Sequence, residues 1–225
     1  MQYSTFAAID IGSYDVILEI FEISKKQGIR SVDKICHRME LGKDTYTLGK
    51  IRPEMEEELC RVLADFVRIM EGYRVDDYRA TASSAISEAS NSLYVLGKIH
   101  QLTGLSVTVL SNSEQRFLSY KALAAMEDNF NKIIEKGTAI LDLDGGSFQI
   151  SLFDKDALVT TQNIRMGSLR IRERLAGIQS ETEHYEEMVE ELIWNEVSSF
   201  KKMYLKDRKI ENIMLIGDVF TDSVS

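Results

Sequence analysis

Two short stretches hold the residues best suited to chemistry in this 225-residue chain, Phe6-Ala7-Ala8-Ile9-Asp10-Ile11-Gly12-Ser13 and Ala139-Ile140-Leu141-Asp142-Leu143-Asp144-Gly145-Gly146-Ser147. In each, an apolar run closes on an aspartate, Asp10 or Asp142, and then breaks into glycine and serine. A carboxylate at the end of a buried strand can reach a metal ion or a water. A tight glycine-rich turn can aim backbone N–H groups at an anion. One such unit usually means only a hairpin turn. Two of them, with their aspartates 132 positions apart (142 − 10), suggest similar half-molecules facing each other across a phosphate-sized cleft.

The elements that must position these turns follow from periodicity. Alternating residues after each turn, Val16 to Ile23 and Phe148 to Phe153, predict a second strand, and Ile29 to Leu41 a third. Gly42 to Gly49 reads as a loop. Pro53 opens a helix in which Met55, Leu59, Val62, Leu63, Phe66 and Met70 recur at helical spacing, and Gly72 ends it. A short strand, Asp77 to Ala82, leads to a helix from Ser84 to about Leu102, then to a β-branched strand, Leu105 to Leu110. Ser111 with Glu114 matches a capping box for a helix running to about Asn129. The second half repeats the order. Strands are expected over Thr138–Leu143, Ser147–Phe153 and Leu158–Arg165, with a short helix opened by Gly167. A second capping box, Ser180 with Glu183, precedes a long helix to about Lys206, and Ile213–Ile216 is a last strand. The expected fold class is α/β, built from duplicated ribonuclease H-like halves, each a mixed sheet flanked by helices, with an interdomain cleft. The halves are expected at residues 1–125 and 126–225. One more helix is expected after the last strand, so the second half reads as shortened at its C-terminal end.

Composition narrows the function classes. With 36 acidic against 27 basic residues, the net charge of −9 argues against a general nucleic-acid binder. A polyanionic substrate would need a locally basic channel or a divalent cation. No apolar run approaches the ~20 residues that span a bilayer, and no secretory signal opens the chain, so a cytoplasmic protein without a membrane partner is expected. Cys36 and Cys60 lie too far apart in sequence for a zinc knuckle or a disulfide framework. His37, His100 and His184 form no metal-spaced pair. The glutamate-rich runs Glu54–Glu58 and Glu181–Glu191 read as solvated helix faces, and Trp194 as packing.

The order of these blocks resembles the exopolyphosphatase / guanosine pentaphosphate phosphohydrolase (Ppx/GppA phosphatase) family, within the actin, heat-shock chaperone and sugar-kinase superfold. The resemblance runs through Phe6–Ser13, Leu41-Gly42…Gly49, Ala82–Asn91, Val109–Glu114, Leu141–Ser147, Met166–Arg170 and Leu215–Gly217. It implies a hydrolase removing the terminal phosphate of guanosine pentaphosphate or short polyphosphate with Mg²⁺ or Mn²⁺, and it allows a homodimer. By the same resemblance Glu114 stands at the position of the catalytic base. Asp10 and Asp142, with Asp144 as a further candidate, would hold the metal ion. Gly12, Ser13, Gly145, Gly146 and Ser147 would bind phosphate, and Lys43 is a further candidate. That chemistry suits the residue types, since Mg²⁺ favours one or two carboxylates completed by waters and phosphate oxygens. A carboxylate on the attacking side can orient and deprotonate water.

Departures from the family pattern gather at the same places. Tyr14 and Asp15 replace a small polar pair, and Ser87 stands where the family has an arginine. Asp144 replaces a glycine, Gln115 and Arg116 follow Glu114, and Asp218 stands where glycine is common. These changes exchange donors and a cation for carboxylates. Three readings stay open: a phosphohydrolase, a binding module that senses a nucleotide or polyphosphate without turnover, and an actin-like ATPase or sugar kinase.

Overall fold

A computed structural model describes residues 3–127, 129–177, 184–206 and 208–217 and divides the chain into two compact units, Met1–Ser111 and Asn112–Ser225. The first unit runs β1 (Ser4–Ile11), β2 (Asp15–Ser24), β3 (Gly28–Arg38), α1 (Leu41–Leu48), α2 (Pro53–Gly72), β4 (Asp77–Ala82), α3 (Ser84–Ser87), α4 (Ser92–Thr103) and β5 (Val107–Val109). The second runs α5 (Asn112–Met126), α6 (Phe130–Ile134), β6 (Thr138–Leu143), β7 (Phe148–Asp154), β8 (Ala157–Ile164), α7 (Ser168–Leu175), α8 (Tyr185–Phe200), a π-helical turn (Lys201–Leu205) and β9 (Asn212–Gly217).

The two sheets have matching order, β3-β2-β1-β4-β5 and β8-β7-β6-β9. In both, a three-strand antiparallel meander gains a parallel neighbour on the first strand. The α/β duplication expected from the sequence is therefore the observed architecture. Period-2 alternation explains the first sheet: Ala7, Ile9 and Ile11 of β1 and Val16, Leu18 and Ile20 of β2 are all buried. Leu59, Leu63, Phe66 and Met70 of α2 cover that face at helical spacing, with Val95 and Ile99 of α4 beside them. Each fully buried aliphatic side chain stabilises the unit by about 1.5–3 kcal/mol. The second sheet packs Phe148, Ile150 and Leu152 with Phe200 on one face, and Ile140 and Phe153 with Phe130 and Ile134 of α6 on the other.

Several expectations need correction. Gly42 to Gly49 is not a loop: α1 occupies it, with Leu41, Asp44 and Thr45 buried. Gly49, at φ 71°, is its left-handed cap and donates its N–H to the Thr45 carbonyl, so the glycine that suggested a loop ends a helix. The helix expected from Ser84 onward is broken between Ser87 and Ser92. There the Asn91 carboxamide accepts from the Ile51 N–H and donates to the Ile51 carbonyl, holding the break against the segment before α2. The next helix stops at Met126, and α6 is separate. Ser180, Glu183 and Asp218 lie outside the described residues; α8 begins at Tyr185. The unit boundary falls at Ser111/Asn112 rather than at residue 125. The reason is packing, because Tyr120 and Leu123 of α5 lie against the Phe130–Phe153 core of the second unit.

Candidate functional site

The two glycine turns share one hydrogen-bonded frame. In the first, the Gly12 N–H donates to the Asp15 carbonyl at 3.0 Å; in the second, the Asp144 N–H donates to the Ser147 carbonyl at 3.0 Å. The offset is 132 in each case (144 − 12 and 147 − 15), the same as that between Asp10 and Asp142. Strand register agrees, pairing Asp10 with Ile17 and Asp142 with Gln149. Asp144 is thus the structural counterpart of Gly12. A Cβ at Gly12 would lie 3.0 Å from the Asp15 carbonyl oxygen, closer than nearly all real contacts, which is why glycine suits that place.

In the first unit, Asp10 is exposed at the end of β1, and its carboxylate accepts a hydrogen bond from Thr81 at 3.3 Å. Ser13 is buried. Its carbonyl accepts from the Gly42 N–H, and its hydroxyl lies 2.6 Å from the Tyr46 hydroxyl, which in turn lies 2.8 Å from Ser84 Oγ. The residue expected to donate to phosphate is therefore already held in a cluster of three hydroxyls. Arg38 offsets the two replacements in this turn, donating to Asp15 at 3.2 Å and stacking over the Tyr14 ring 5.1 Å from its centroid. Lys43 is exposed on α1. Asp44 beside it is buried and accepts from both the backbone N–H and the Nε of Arg52, tying α1 to the head of α2.

In the second unit, a small pocket gathers Asn112, Gln115 and Arg116 of α5 with Asp142, Asp144, Ser147, Gln149 and Asn163. Ser119 Oγ donates to Asp142 at 3.1 Å, and Gln115 Nε2 donates to Asp144 at 2.8 Å. Burial pushes the Asp142 carboxyl above its ordinary value, and the Ser119 hydrogen bond opposes that rise. Asn163 donates to Ser147 Oγ at 3.1 Å. Arg116 reaches Thr161 and Ser113. The space enclosed is about 10 Å³, room for about one water. Glu114 is exposed on α5 and is not among the residues lining this pocket.

Gly145 and Gly146 are buried, and α7 grips their carbonyls. The Arg170 N–H donates to the Gly145 oxygen at 3.1 Å and the Arg170 Nε to the Gly146 oxygen at 2.9 Å, while the Ser168 N–H donates to the Asp144 oxygen. Arg170 is a brace for the turn. Gly167 has a matching role, since a Cβ there would collide with the Asp144 carbonyl and Gly145. Its position immediately before a short basic helix was the available signal.

Among the described residues no three His, Cys, Asp or Glu side chains gather as a metal cage. Asp142, Asp144 and the carboxamide oxygens nearby are nevertheless hard oxygen donors of the kind Mg²⁺ accepts when waters and phosphate complete its shell.

Comparison with known proteins adds the family context. The family model described as Ppx/GppA phosphatase family matches residues 19–224. A bifunctional 3-dehydroquinate synthase/phosphatase of Fusobacterium nucleatum is 22% identical over 174 residues, covering 75% of this chain and 26% of that protein. Exopolyphosphatase 1 of Mycobacterium leprae is 25% identical over 144 residues, covering 64% of this chain and 41% of that one. The chain thus spans between about a quarter and two fifths of the length of these curated relatives. The crystal structure of the Aquifex aeolicus Ppx/GppA family member superposes with a TM-score of 0.72 at 23% identity, over 98% of this chain and 68% of that one.

Proposed function

The chain belongs to the Ppx/GppA phosphatase family, and on that premise we propose that it hydrolyses the terminal phosphoanhydride bond of guanosine pentaphosphate or a short polyphosphate. Water attacks the terminal phosphorus, a new P–O bond forms, and the bridging P–O bond breaks to release inorganic phosphate and the shortened substrate. Glu114 takes the proton of the attacking water. Asp10 and Asp142, with Asp144, are the residues assigned to a divalent cation, which when bound would neutralise charge on the phosphate oxygens. The turns at Gly12-Ser13 and Gly145-Gly146-Ser147 are assigned to the phosphate, the Gly12 N–H itself being held by the Asp15 carbonyl, with Lys43 a further candidate.

One observation carries this reading: a strand–turn–strand unit occurs twice with the same hydrogen-bonded frame and an aspartate at the same place, and the family match over residues 19–224 covers the second of the two. The absence of an arginine at Ser87 lowers the expected rate, because a cation on the transferring phosphoryl group contributes about 10³-fold or more in related chemistry.

A second reading, binding without turnover, is favoured by a specific feature. Ser13 is engaged by Tyr46, and Asp144 places a carboxylate where the equivalent turn has Gly12. Phosphate release from guanosine pentaphosphate, short polyphosphate and ATP, measured in parallel with Mg²⁺ or Mn²⁺, separates the two. Binding by calorimetry with no release supports the sensor; release that falls ~10²–10⁴-fold in Glu114→Gln supports the hydrolase.

A further inference from the structure

Strand register sets Asp142, Gln149 and Asn163 in one row across β6, β7 and β8, with Ile140, Ser151 and Thr161 in the next. The polar members of these rows are hydrogen-bonded, with one exception. Ser151 is 1% exposed and is held by Tyr120 and Thr161; Asp142 accepts from Ser119, and Asn163 donates to Ser147. Gln149 is 7% exposed, and among the described residues its carboxamide makes no hydrogen bond. A buried polar group without a partner costs free energy, so its presence asks for a use. The fold does not demand a carboxamide there, because the equivalent place in the first unit, opposite Asp10 on β2, is Ile17.

Gln149 lines the same small pocket as Arg116 of α5. The Arg116 guanidinium is half-buried and carries N–H donors on all three nitrogens. Its two hydrogen bonds are long and go to neutral hydroxyls, Thr161 Oγ1 at 3.4 Å and Ser113 Oγ at 3.3 Å. Asp142 and Asp144 line the pocket too, yet among the described residues no carboxylate forms an ion pair with Arg116. Thr161 is itself fixed by Ser151 at 3.1 Å, so a chain of hydroxyls rooted in Tyr120 aims the guanidinium. A guanidinium held in this way keeps its strong, charge-assisted donors for an anion. Size says what Arg116 and Gln149 can share. The pocket encloses about 10 Å³, which admits one water-sized oxygen atom and excludes a whole phosphate group.

We propose that Arg116 and Gln149 together bind one non-bridging oxygen of the substrate's terminal phosphate, inserted into this pocket while the rest of the phosphate stays at its mouth. The inference rests on the phosphoanhydride chemistry proposed above, and it assigns to Arg116 the cation that Ser87 does not provide. Arg116 supplies charge. Gln149 supplies a neutral N–H donor whose position is fixed by burial, so no reorganisation is needed when the oxygen arrives. Asp142 and Asp144 repel an anion at the same pocket, so affinity for phosphate is expected to depend on the divalent cation assigned to those carboxylates.

The probe is imidodiphosphate, whose bridging nitrogen resists hydrolysis, titrated by calorimetry into the full chain with Mg²⁺. Arg116→Gln should weaken binding at least about tenfold. Arg116→Lys keeps the charge without the planar fork and should recover part of that loss. Gln149→Met, close in volume, should weaken binding at least about threefold. Its melting temperature should stay at or above the parent's, because the variant removes a buried carboxamide that has no partner. A purely structural role for Gln149, satisfied by a bound water, gives the reverse: a lower melting temperature with binding intact. That result overturns the proposal. So does an affinity unchanged in Arg116→Gln, or no binding by the parent up to millimolar probe. Phosphate release measured on the same variants separates this inference from the hydrolysis on which it rests. Binding that depends on Arg116 in a chain that releases no phosphate supports the oxygen site and removes the turnover. Release that falls in Glu114→Gln, with release and probe affinity both unchanged in Arg116→Gln, keeps the turnover and removes the oxygen site.

Discussion

Replacing Ser119 with alanine removes the hydroxyl that donates to the desolvated Asp142 carboxylate at 3.1 Å, without touching either glycine turn. Burial holds the native pKa of Asp142 above its ordinary value. Folding therefore disfavours the ionised form: the stabilising contribution is complete below the ordinary carboxylate range and is lost as pH rises through the raised native value. The Ser119 hydrogen bond opposes that loss, so Ser119→Ala should raise the Asp142 pKa further. The variant should cost about 0.5–1.5 kcal/mol where Asp142 is protonated and about 1.5–3 kcal/mol where it is ionised, because bonds to charged groups are the stronger. For a chain of this size that is a fall in melting temperature of roughly 1–6 °C in acid and roughly 3–12 °C at higher pH. Thermal unfolding across pH, repeated in an Asp142→Asn background, is the assay. In that background the cost of Ser119→Ala should stay at the neutral-bond level at every pH. A cost that is independent of pH and unchanged by Asp142→Asn would refute the coupling.

Other outcomes follow from the same geometry. Gly167→Ala forces a Cβ against the Asp144 carbonyl and Gly145; it should destabilise the chain by about 1–3 kcal/mol in urea unfolding, and an unchanged midpoint would show that α7 does not brace the turn. Tyr46→Phe leaves Ser13 only the 3.4 Å approach of Ser84, and the expected cost of about 0.5–1.5 kcal/mol is read by thermal melting. Asp44→Ala leaves the Arg52 N–H at the head of α2 without its acceptor, costing about 1–3 kcal/mol, with Asp44→Asn recovering part of it.

The sheets were readable from the sequence because alternation and glycine breaks are local signals. Val16, Leu18 and Ile20 face one core, and the strand over Thr138–Leu143 falls where its apolar run predicts. The duplication was readable for the same reason, since the Asp10 and Asp142 turns are local patterns of eight and nine residues. Helix α1 was hidden because its capping glycine, Gly49, looks like a loop residue until its left-handed φ and its bond to Thr45 are known. The contacts that hold the turns were hidden for a different reason. Gln115 meets Asp144 across 29 positions and Arg170 meets Gly146 across 24, and no local pattern announces such a pair. Asp144 illustrates the consequence: from its type alone it adds charge and a metal ligand, whereas in the fold its carboxylate accepts from Gln115.

The central claim is catalytic, and phosphate release tests it most directly. With Mg²⁺ or Mn²⁺ and guanosine pentaphosphate or short polyphosphate, the account predicts release of inorganic phosphate that falls ~10²–10⁴-fold in Glu114→Gln, with folding of that variant intact because Glu114 is exposed. No release from either substrate by the parent chain, or undiminished release by Glu114→Gln, would contradict it.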